Sequence, residues 1–582
     1  MLIETVNAPE DLRKMSREQL VELAGEIREG LMNRLSKKGG HFGPNFGFVE
    51  ATIALHYVFH SPVDKIVFDV SHQSYVHKML TGRRQAYFED DHFGDISGYT
   101  NPAESEHDFF NVGHTSTSVS LASGLAKGRD LKGGHENIIA VIGDGSLSGG
   151  EALEGRDFAS ELASNLIIVV NDNDMSIAEN HGGLYKNLKE LRDSDGSSPC
   201  NLFRAMGLDY LYVSEGNNID ALIEAFEKVR DIDHPIVVHV NTVKGKGYKP
   251  AETDKENWHW CMPFDVNTGK SNFVMEGEDY GSLTCEYLLG KMKADRRVTA
   301  VVAAVPVCIG FTEDKRKEAG SQFVDVGIAE EHAVAMVSGI ARNGGKPVFA
   351  THSSFFQRTY DQISQDLCVN NNPATLLVNT ASVYGMNDVT HLGIYDIPMM
   401  SNIPNLVYLA PTSCEEYFAM LDWSIEQNAH PVAIRVPCNG VIHTTDNVAK
   451  DYSQLNRYRV TRKGSGVAVI ALGDFYQIGE ETADLIGKET GTEPTLINPR
   501  YITGLDEKLL EALKEDHTQI VTLEDGSIDG GFGEKIARYY GPSEMKVYNY
   551  GIKKEFLDRY NVEDVLRDNR IVPELILEDL RA

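Results

Sequence analysis

Short apolar runs, separated by stretches with helical spacing, recur along the whole chain and predict a parallel α/β fold. The run NIIAVI is followed by the turn Gly143-Asp144-Gly145, a helix-like stretch over 149–162, the run NLIIVV and the polar turn NDND. Unbroken apolar runs are typical of strands that are buried on both faces. This stretch therefore predicts one βαβ unit, whose two polar turns follow the carboxyl ends of parallel strands, where open α/β sheets bind ligands.

The same rhythm returns in three successive blocks, which predict three domains. KIVFDV, NIIAVI, NLIIVV and PIVVHV mark the first block; RVTAVVAAV, QFVDVGI, KPVFATH, ATLLVNT, NLVYLA and PVAIRV the second; GVAVIALG, PTLINPR and QIVTLED the third. The polar, glycine-rich segment 251–280 is expected to be a linker. We therefore predict an α/β protein of three domains, 1–275, 276–448 and 449–582, each with a mostly parallel sheet flanked by helices. In the helix of the opening unit, the residues expected to face inward are Ala152, Leu153, Phe158, Ala159 and Leu162.

Composition narrows the classes of partner. The chain has 582 residues, 42% of them hydrophobic, and a formal net charge of −31, which disfavours binding to nucleic acid or to an anionic membrane. Its seven cysteines are scattered without a CxxC pair, which fits a reducing compartment and argues against a disulfide framework. No signal-peptide core or long apolar run is present, so a soluble, cytoplasmic protein is expected.

The two polar turns supply ligands that suit a hard cation. Asp144 lies 29 residues before Asn173, the length of one helix crossover, so both side chains can face one point of the rim. Carboxylate and amide oxygens suit Mg²⁺, which commonly completes its octahedron with phosphates and water. Gly143 and Gly145 let the backbone approach a diphosphate, and helix N-termini favour its charge. A GDG tripeptide alone is commonly just a turn, but the second turn at this spacing favours a metal–diphosphate site.

With these motifs the chain resembles the transketolase-like thiamine-diphosphate enzymes. GDG followed at this spacing by N-D-N is similar to their cofactor signature, and NDNDMSI resembles the 1-deoxy-D-xylulose-5-phosphate synthase branch. The similarity covers nearly the whole chain and extends to FFQRTYDQ, IRVP and EDGSIDGGFG. It implies that Asp144, Asn173 and the backbone carbonyl of Met175 hold Mg²⁺, and that the metal holds the cofactor's diphosphate.

The resemblance also implies which residues serve the rest of the cofactor. Glu330, at the start of a helix, is expected to hydrogen-bond the aminopyrimidine ring and activate the cofactor, and Phe355 to pack on that ring. The alternatives are a helix-terminal carboxylate stabilised by the dipole for Glu330 and a core position for Phe355, although Phe356 suits the core better. The remaining cofactor contacts are expected from His72, Gly113, His114, Thr115, Ser116, Gly143, Gly145, Ser146 and Lys244.

Several loop histidines match family positions around the reaction centre. His41, His72 and His391 are expected to orient substrate oxygens and to move protons, and together with Glu330 they form the expected catalytic set. The residues expected to contact substrate are His41, His259, His352, Arg358, Asn387, His391 and Arg435.

The acceptor end departs from the family's pattern at four positions. Pro44 replaces a serine, His352 a tyrosine, Thr380 an arginine and Asn387 an aspartate, although Asp388 follows directly. Of the groups expected to bind the aldehyde phosphate, Arg435 is retained. Because each charged hydrogen bond contributes about 1.5–3 kcal/mol, losing an arginine would weaken phosphate binding by roughly ten- to a hundredfold.

The resemblance implies a thiamine-diphosphate- and Mg²⁺-dependent carboligase that acts as a homodimer, with an active site between the first two domains of one chain. Its reaction would join pyruvate, with loss of CO₂, to glyceraldehyde 3-phosphate and give 1-deoxy-D-xylulose 5-phosphate for isoprenoid and thiamine synthesis. Alternatives are a transketolase-like ketol transfer, carboligation of another aldehyde, or a non-catalytic cofactor-binding paralogue. A nucleotide-binding protein is disfavoured, because neither GxGxxG nor GxxxxGK[ST] occurs at a strand–helix junction.

Overall fold

The computed structural model describes residues 1–273 and 277–582. The chain divides into two compact units, Met1–Glu276 with Gly327–Ala329, and Gly277–Val326 with Glu330–Ala582. The boundary that the sequence predicts between its first two domains, at residues 275 and 276, lies outside the described residues.

The first unit is built on a five-stranded parallel sheet with the strand order β2-β3-β4-β6-β5. A separate antiparallel pair, β1 with β7, joins the loop at His41 to the segment at Trp260. The strands of this unit are β1 (Gly40–His41), β2 (Lys65–Phe68), β3 (Ile138–Gly143), β4 (Leu166–Asp172), β5 (Asp209–Val213), β6 (Pro235–Asn241) and β7 (Trp260–Cys261).

Helices cover both faces of this sheet and bury its central strands. Every residue of β4 is buried, as a strand between two helical layers requires. The helices are α1 (Arg17–Lys38), α2 (Gly43–Gly47), α3 (Val49–Val58), α4 (Tyr75–Lys78), α5 (Gln85–Phe88), α6 (Ser118–Leu131), α7 (Gly150–Ala159), α8 (Gly183–Asp193), α9 (Leu202–Ala205), α10 (Ile219–Val229) and α11 (Lys249–Thr253).

The second unit contains two sheets. The first is a six-stranded parallel sheet with the order β12-β13-β11-β10-β8-β9, and the second has the order β14-β16-β15-β17-β18, in which only β14 runs antiparallel. The strands are β8 (Val298–Val302), β9 (Phe323–Asp325), β10 (Lys346–His352), β11 (Thr375–Asn379), β12 (Val407–Leu409), β13 (Val432–Arg435), β14 (Arg459–Arg462), β15 (Gly466–Ala471), β16 (Thr495–Asn498), β17 (His517–Ser527) and β18 (Lys546–Ile552).

Helices flank these two sheets as well, so the predicted fold class, an α/β protein with three mostly parallel sheets, is confirmed. The helices are α12 (Tyr280–Ala294), α13 (Glu313–Ala319), α14 (Glu330–Arg342), α15 (Asp396–Met400), α16 (Cys414–Glu426), α17 (Tyr476–Thr490), α18 (Glu507–Leu513), α19 (Phe532–Tyr540), α20 (Val562–Asp568) and α21 (Pro573–Arg581). Among the described residues, no helix combines the length and the apolar character that a membrane crossing needs.

The inward face predicted for α7 is wrong in part. Ala152 and Ala159 are buried, as is Leu162 beyond the end of the helix, but Leu153 is 49% and Phe158 52% exposed. At 3.6 residues per turn, Ala152 and Ala159 lie on one line along the helix, whereas Leu153 and Phe158 project to either side of it. The helix therefore carries two large apolar side chains on its outer surface.

Much of the segment predicted as a linker is folded onto the first unit. It contains part of α11 and strand β7, and Trp258 and Phe264 are buried in the same core cluster as Phe42. The Phe42 ring lies 4.9 Å from that of Trp258, between ring centroids, which anchors this segment. Polar composition concealed the anchor because few apolar residues provide it.

Candidate active site

The metal turn, which we define as Gly143–Ser146 together with Asn171–Met175, lies at the carboxyl edge of the first sheet. Gly143 pairs with Asn171 across β3 and β4, so the two strands end side by side. Asp172 pairs with Asn241 of β6, which places the segment leading to Lys244 on the same edge. The two predicted turns therefore lie next to each other, as the βαβ pattern requires.

Asp144 is buried at this edge and is oriented by two donors. Its Oδ2 atom accepts hydrogen bonds from the Met175 backbone N–H at 3.0 Å and from the Asn180 amide at 2.7 Å. Burial and the nearby charge of Asp172 raise the pKa of Asp144 to about 7. A divalent cation beside this carboxyl would favour its ionised form.

Asn173 provides a test of whether the turn fits a metal. Its Oδ1 atom is buried and has no hydrogen-bond partner among the described residues, although buried polar atoms are almost always satisfied. No cluster of three or more His, Cys, Asp or Glu side chains that could hold a metal occurs within residues 1–273 and 277–582. A cation here would rely on one carboxylate with amide and carbonyl oxygens, a donor set that suits Mg²⁺ together with ligand phosphates.

The two glycines of the metal turn differ in the space around them. Gly145 has no room for a side chain, and Gly143 faces open space. A Cβ atom at Gly145 would lie 2.7 Å from the Ser176 hydroxyl, whereas one at Gly143 would meet nothing within 4 Å. Gly145 is therefore required for local packing, and the space beside Gly143 is compatible with a ligand that approaches the backbone.

The loop before α6, which contains Gly113, His114, Thr115 and Ser116, is tied to the metal turn. The Ser116 hydroxyl donates to the carbonyl of Ser146 at 2.8 Å, and the Ser116 N–H donates to the carboxylate of Asp69 at 2.8 Å. Ser116 has a left-handed φ of 75°, a conformation that these contacts hold in place. The loop that contains these four predicted cofactor contacts therefore lies against the metal turn.

Three of the predicted histidines, His41, His72 and His259, come together in the first unit. Their ring centroids are 5.2 Å apart for His41 and His72, 5.7 Å for His41 and His259, and 5.4 Å for His72 and His259. Burial and the Lys244 charge lower the pKa of His72 to about 3. The same causes hold the pKa of His259 well below its usual range, so both rings are neutral at physiological pH.

Lys244 connects this histidine cluster with the metal turn. Its ammonium group is buried and donates to the carbonyl of Ser176 at 2.6 Å, and burial lowers its pKa to about 7 although the Asp144 charge opposes the shift. Pro44 lies buried in α2 within this unit, and Asn45 beside it donates to the carbonyls of both His41 and His72. The loop that carries the substituted Pro44 thus remains fixed to both histidines.

In the second unit, Glu330 is the first residue of α14, and its side chain is almost fully buried. Burial raises the pKa of Glu330 to about 7, and the Arg358 charge opposes that shift. One Arg358 nitrogen lies 3.7 Å from Glu330 Oε2, an atom without a hydrogen-bond partner among the described residues. The group is therefore poised to exchange a proton near neutral pH and retains an open acceptor.

Phe355 lies between two of the predicted substrate residues. Its ring centroid is 5.4 Å from that of His352 and 5.7 Å from that of His391, with edge-to-face geometry in both cases. Its neighbour Phe356 is fully buried and packs against Phe349, which confirms the prediction that Phe356 belongs to the core.

His352 and Thr380 form a neutral polar edge at the ends of β10 and β11. His352 and Asn379 are register partners, and the His352 ring lies within hydrogen-bond distance, 3.1 Å, of the Thr380 hydroxyl. Burial and His391 lower the pKa of His352 to about 4. Thr380 therefore contacts an uncharged imidazole.

Family models cover most of the chain. Residues 3–198 and 195–242 match the model described as 1-deoxy-D-xylulose-5-phosphate synthase, residues 280–440 the transketolase pyrimidine binding domain, and residues 456–568 the transketolase C-terminal domain. A protein from Clostridium beijerinckii named 1-deoxy-D-xylulose-5-phosphate synthase is 37% identical over 97% of this chain and 96% of its own. The chain belongs to the 1-deoxy-D-xylulose-5-phosphate synthase family.

A second sequence relative gives the same relationship. A 1-deoxy-D-xylulose-5-phosphate synthase from Caldanaerobacter subterraneus subsp. tengcongensis is 36% identical over 99% of each chain. Among solved structures, a transketolase from Campylobacter jejuni is 16% identical over 97% of this chain and 100% of its own, with a TM-score of 0.44. Membership of the synthase family rests on the sequence relatives.

Arg435, which is predicted to bind the substrate phosphate, has protein partners in the second unit. Its guanidinium is buried and donates to Asp396 at 2.8 and 3.2 Å, to the Asp525 carboxylate, and to the Asp525 carbonyl at 3.3 Å. All three of its nitrogens therefore have a protein acceptor, and phosphate binding by Arg435 stays a prediction.

Sequence reasoning also missed residues that a motif does not mark. Asn180 orients Asp144, and Asp69 holds the Ser116 loop, but both act across long sequence separations. Asn387, predicted to contact substrate, instead donates to the carbonyl of Tyr560, while the Asp388 carboxylate lies 3.9 Å from the His391 ring. Asp388, directly after Asn387 in the sequence, therefore supplies a carboxylate close to His391.

Proposed function

We propose that this chain is a thiamine-diphosphate- and Mg²⁺-dependent 1-deoxy-D-xylulose-5-phosphate synthase. The reaction condenses pyruvate, with loss of CO₂, and glyceraldehyde 3-phosphate to 1-deoxy-D-xylulose 5-phosphate. The single observation that carries the proposal is the metal turn of a chain of this family, where the strands that precede Asp144 and Asn173 end side by side and the buried Asn173 Oδ1 has no hydrogen-bond partner among the described residues.

The first unit binds the charged end of the cofactor. Asp144, the Asn173 side chain and the Met175 carbonyl hold Mg²⁺, and the backbone at Gly143 and the Lys244 ammonium lie close to the diphosphate. Desolvation of Lys244 strengthens its attraction to an anion, because few waters compete for its charge.

The second unit serves the reacting ring. When bound, thiamine diphosphate would supply a nucleophilic carbon and an electron sink for the decarboxylation of a 2-oxo acid. Glu330 hydrogen-bonds the aminopyrimidine and holds or releases a proton there, for which a pKa of about 7 is well matched. Phe355 packs against the ring, and Arg358 orients the Glu330 carboxyl.

The histidines handle substrate oxygens. His72 and His259 are neutral, so each ring can both donate and accept a hydrogen bond. Their Nδ1 atoms are buried and have no hydrogen-bond partner among the described residues. We assign His41, His72 and His391 to proton transfer and orientation at the substrate carbonyl and hydroxyl groups, with His259 in support.

A second candidate function is carboligation of a different aldehyde acceptor. The engagement of Arg435 by Asp396 and Asp525 favours this candidate, because that cation is not open to a phosphate. The neutral pair of His352 and Thr380 suits a hydroxyl group better than a dianion.

Product analysis decides between these functions. Purified protein with Mg²⁺, thiamine diphosphate and pyruvate is offered glyceraldehyde 3-phosphate, unphosphorylated glyceraldehyde and other aldehydes, and the products are identified by mass spectrometry. Formation of 1-deoxy-D-xylulose 5-phosphate as the preferred product is expected. Preferential use of an unphosphorylated aldehyde would establish the second candidate, and no product from any acceptor would refute both.

We further propose that the protein is a cytoplasmic homodimer. The exposed Leu153 and Phe158 on α7 are apolar side chains that a second copy would cover. All seven cysteines are free thiols, which suits a reducing compartment.

Light scattering coupled to size exclusion is expected to give twice the 64.4 kDa mass of one chain, and a Phe158→Asp variant is expected to shift the protein towards monomer. A wild-type protein that elutes as a monomer would contradict this proposal.

A further inference from the structure

Asp172 is the last residue of β4 and belongs to the metal turn. Its side chain is fully buried and surrounded by hydrogen-bond donors. Its carboxylate accepts from Arg192 Nη1 at 2.8 and 2.6 Å, lies 2.8 Å from His239 Nε2, and accepts from the Asp174 N–H at 3.1 Å. A buried carboxylate with this many partners has one fixed orientation. The backbone that presents Asn173 and Met175 is therefore held from behind.

Arg192 holds the same turn at a second point. Its Nη2 atom donates to the Asp174 carboxylate at 2.5 Å while Nη1 contacts Asp172, so one guanidinium joins the two carboxylates on either side of Asn173. The planar fork of arginine suits this two-carboxylate contact better than the single point charge of lysine. Asp174 itself adopts a left-handed φ of 61°, and the Arg192 contact helps to hold that conformation.

The remaining support comes from the neighbouring strands. His239 on β6 reaches Asp172 with one ring nitrogen and the Tyr210 hydroxyl on β5 with the other, at 2.8 Å each. The chain of contacts therefore runs from β5 through β6 to the metal turn and ends at Arg192. Every member except Arg192 belongs to the sheet or to the turn itself, and Arg192 belongs to helix α8.

Helix α8 is joined to the metal turn by this contact. It packs through Tyr185, Leu188 and Leu191, and the Tyr185 hydroxyl donates to the carbonyl of Gly145 at 3.1 Å. The helix thus contacts both halves of the metal turn, at Gly145 and at Asp172 with Asp174. Moving α8 would release both.

We propose that Arg192 is a positioning residue for the metal turn, and that docking of helix α8 and binding of the metal–diphosphate group reinforce each other. The inference rests on the proposed function, because it concerns the same metal turn. Arg192 acts through Asp172 and Asp174, and it does not touch the metal or the cofactor. Since coupling between two binding events is reciprocal, the loss of this contact weakens metal binding, and metal binding stabilises α8.

Calorimetry tests whether Arg192 supports metal binding. Mg²⁺ is titrated into protein that is saturated with thiamine diphosphate. Arg192→Met is expected to weaken the Mg²⁺ affinity by about five- to tenfold, the lower end of the usual range of such couplings, and Arg192→Lys by less. The matched control is Lys189→Met on the exposed side of α8, where Lys189 contacts Asp193, and its affinity is expected to equal that of the wild type.

Hydrogen–deuterium exchange over residues 183–193 tests whether metal binding stabilises helix α8. In the wild type, addition of Mg²⁺ and thiamine diphosphate is expected to slow amide exchange in α8, and in Arg192→Met the slowing is expected to be much smaller. A purely structural role would lower the thermal midpoint of the cofactor-free variant without changing Mg²⁺ affinity or this difference in exchange, and would overturn the inference.

A second variant covers the case in which Arg192→Met does not fold. Asp174→Asn removes the outer, exposed contact and leaves the buried one with Asp172 in place, so folding is expected to be retained and Mg²⁺ affinity to fall two- to fivefold, below the usual coupling range. Wild-type affinity in that variant would overturn the inference. A wild-type protein that binds no thiamine diphosphate with Mg²⁺ would instead refute the proposed function.

Discussion

The metal turn of the first unit and the Glu330 region of the second both bury a carboxyl group, but they surround it differently. Asp144 accepts two hydrogen bonds on one oxygen and lies beside a further network around Asp172. Glu330 has an oxygen without a hydrogen-bond partner among the described residues, and Arg358 approaches it at 3.7 Å. Burial raises the pKa of each carboxyl to about 7.

The difference agrees with the roles that we propose for the two carboxyls. A metal ligand must keep one geometry, and the donors around Asp144 would fix its orientation before an ion arrives. A carboxyl that shares a proton with a ring needs an open oxygen and a pKa near the working pH, which Glu330 would provide. With these proposed roles, similar burial would serve preorganisation in one unit and proton exchange in the other.

The largest effect is expected from removing the proton-sharing group. Glu330→Gln keeps the shape of the side chain but cannot ionise, so turnover is expected to fall by about 10²–10⁴-fold while cofactor binding stays close to that of the wild type. Steady-state kinetics and cofactor titration measure the two quantities. Glu331→Gln is the matched control, and a fall in turnover for that variant instead would transfer the role to Glu331.

Two adjacent phenylalanines of the second unit are expected to differ in role, one in the core and the other at the cofactor. Phe356 is fully buried in the core, so Phe356→Ala is expected to lower the free energy of unfolding by about 3–5 kcal/mol. Phe355→Ala is expected to leave the thermal midpoint nearly unchanged and to weaken cofactor binding. Thermal unfolding and cofactor titration of both variants check this, and equal losses of stability would contradict the division of roles.

The raised pKa of Glu330 predicts how much this residue lowers the stability of the folded protein at each pH. Because the folded protein holds its proton up to about pH 7, whereas the unfolded chain releases it near 4.5, the wild type loses stability relative to Glu330→Gln as the pH rises between these values. The full difference is about 3 kcal/mol above pH 7 and vanishes below pH 4.5. Thermal midpoints of both cofactor-free proteins at pH 5 and pH 8 measure it, and a constant difference would show that Glu330 is already ionised at pH 5.

The smallest effect is expected at the metal turn. Asp144→Asn removes the charge but keeps the hydrogen-bonding shape, so Mg²⁺ affinity is expected to fall about tenfold, equivalent to roughly 1.4 kcal/mol. Asp157→Asn on the exposed side of α7 is the control. Calorimetric titration in the presence of thiamine diphosphate measures both, and unchanged affinity in Asp144→Asn would remove Asp144 from the metal site.

How much could be predicted from sequence depended on whether the signal was local. Each unbroken apolar run contains a strand because buried parallel strands need such runs, whereas the edge strands β5, β14 and β18 were missed because their DYLYV, RVTR and KVYNYGI segments are half-exposed. Asp144, Asn173 and Glu330 are marked by motifs. Asn180 and Arg192 are not, since their partners become neighbours through folding alone.

At Arg435 a matching motif gives no indication of the protein groups that contact the side chain. The IRVP motif is present, but the two carboxylates that occupy the guanidinium come from Asp396 on α15 and Asp525 on β17. Sequence position gave no sign of either partner. The arginine's identity was predictable, whereas its availability depended on tertiary packing.

The proposal that Glu330 activates the bound cofactor can be tested by deuterium exchange. The measured quantity is the rate at which the proton on the reactive carbon of bound thiamine diphosphate exchanges with deuterium. We expect fast exchange in the wild-type protein with Mg²⁺, and exchange slower by about 10²-fold or more in Glu330→Gln at saturating cofactor. Exchange as fast in Glu330→Gln as in the wild type, with the cofactor bound in both, would contradict it.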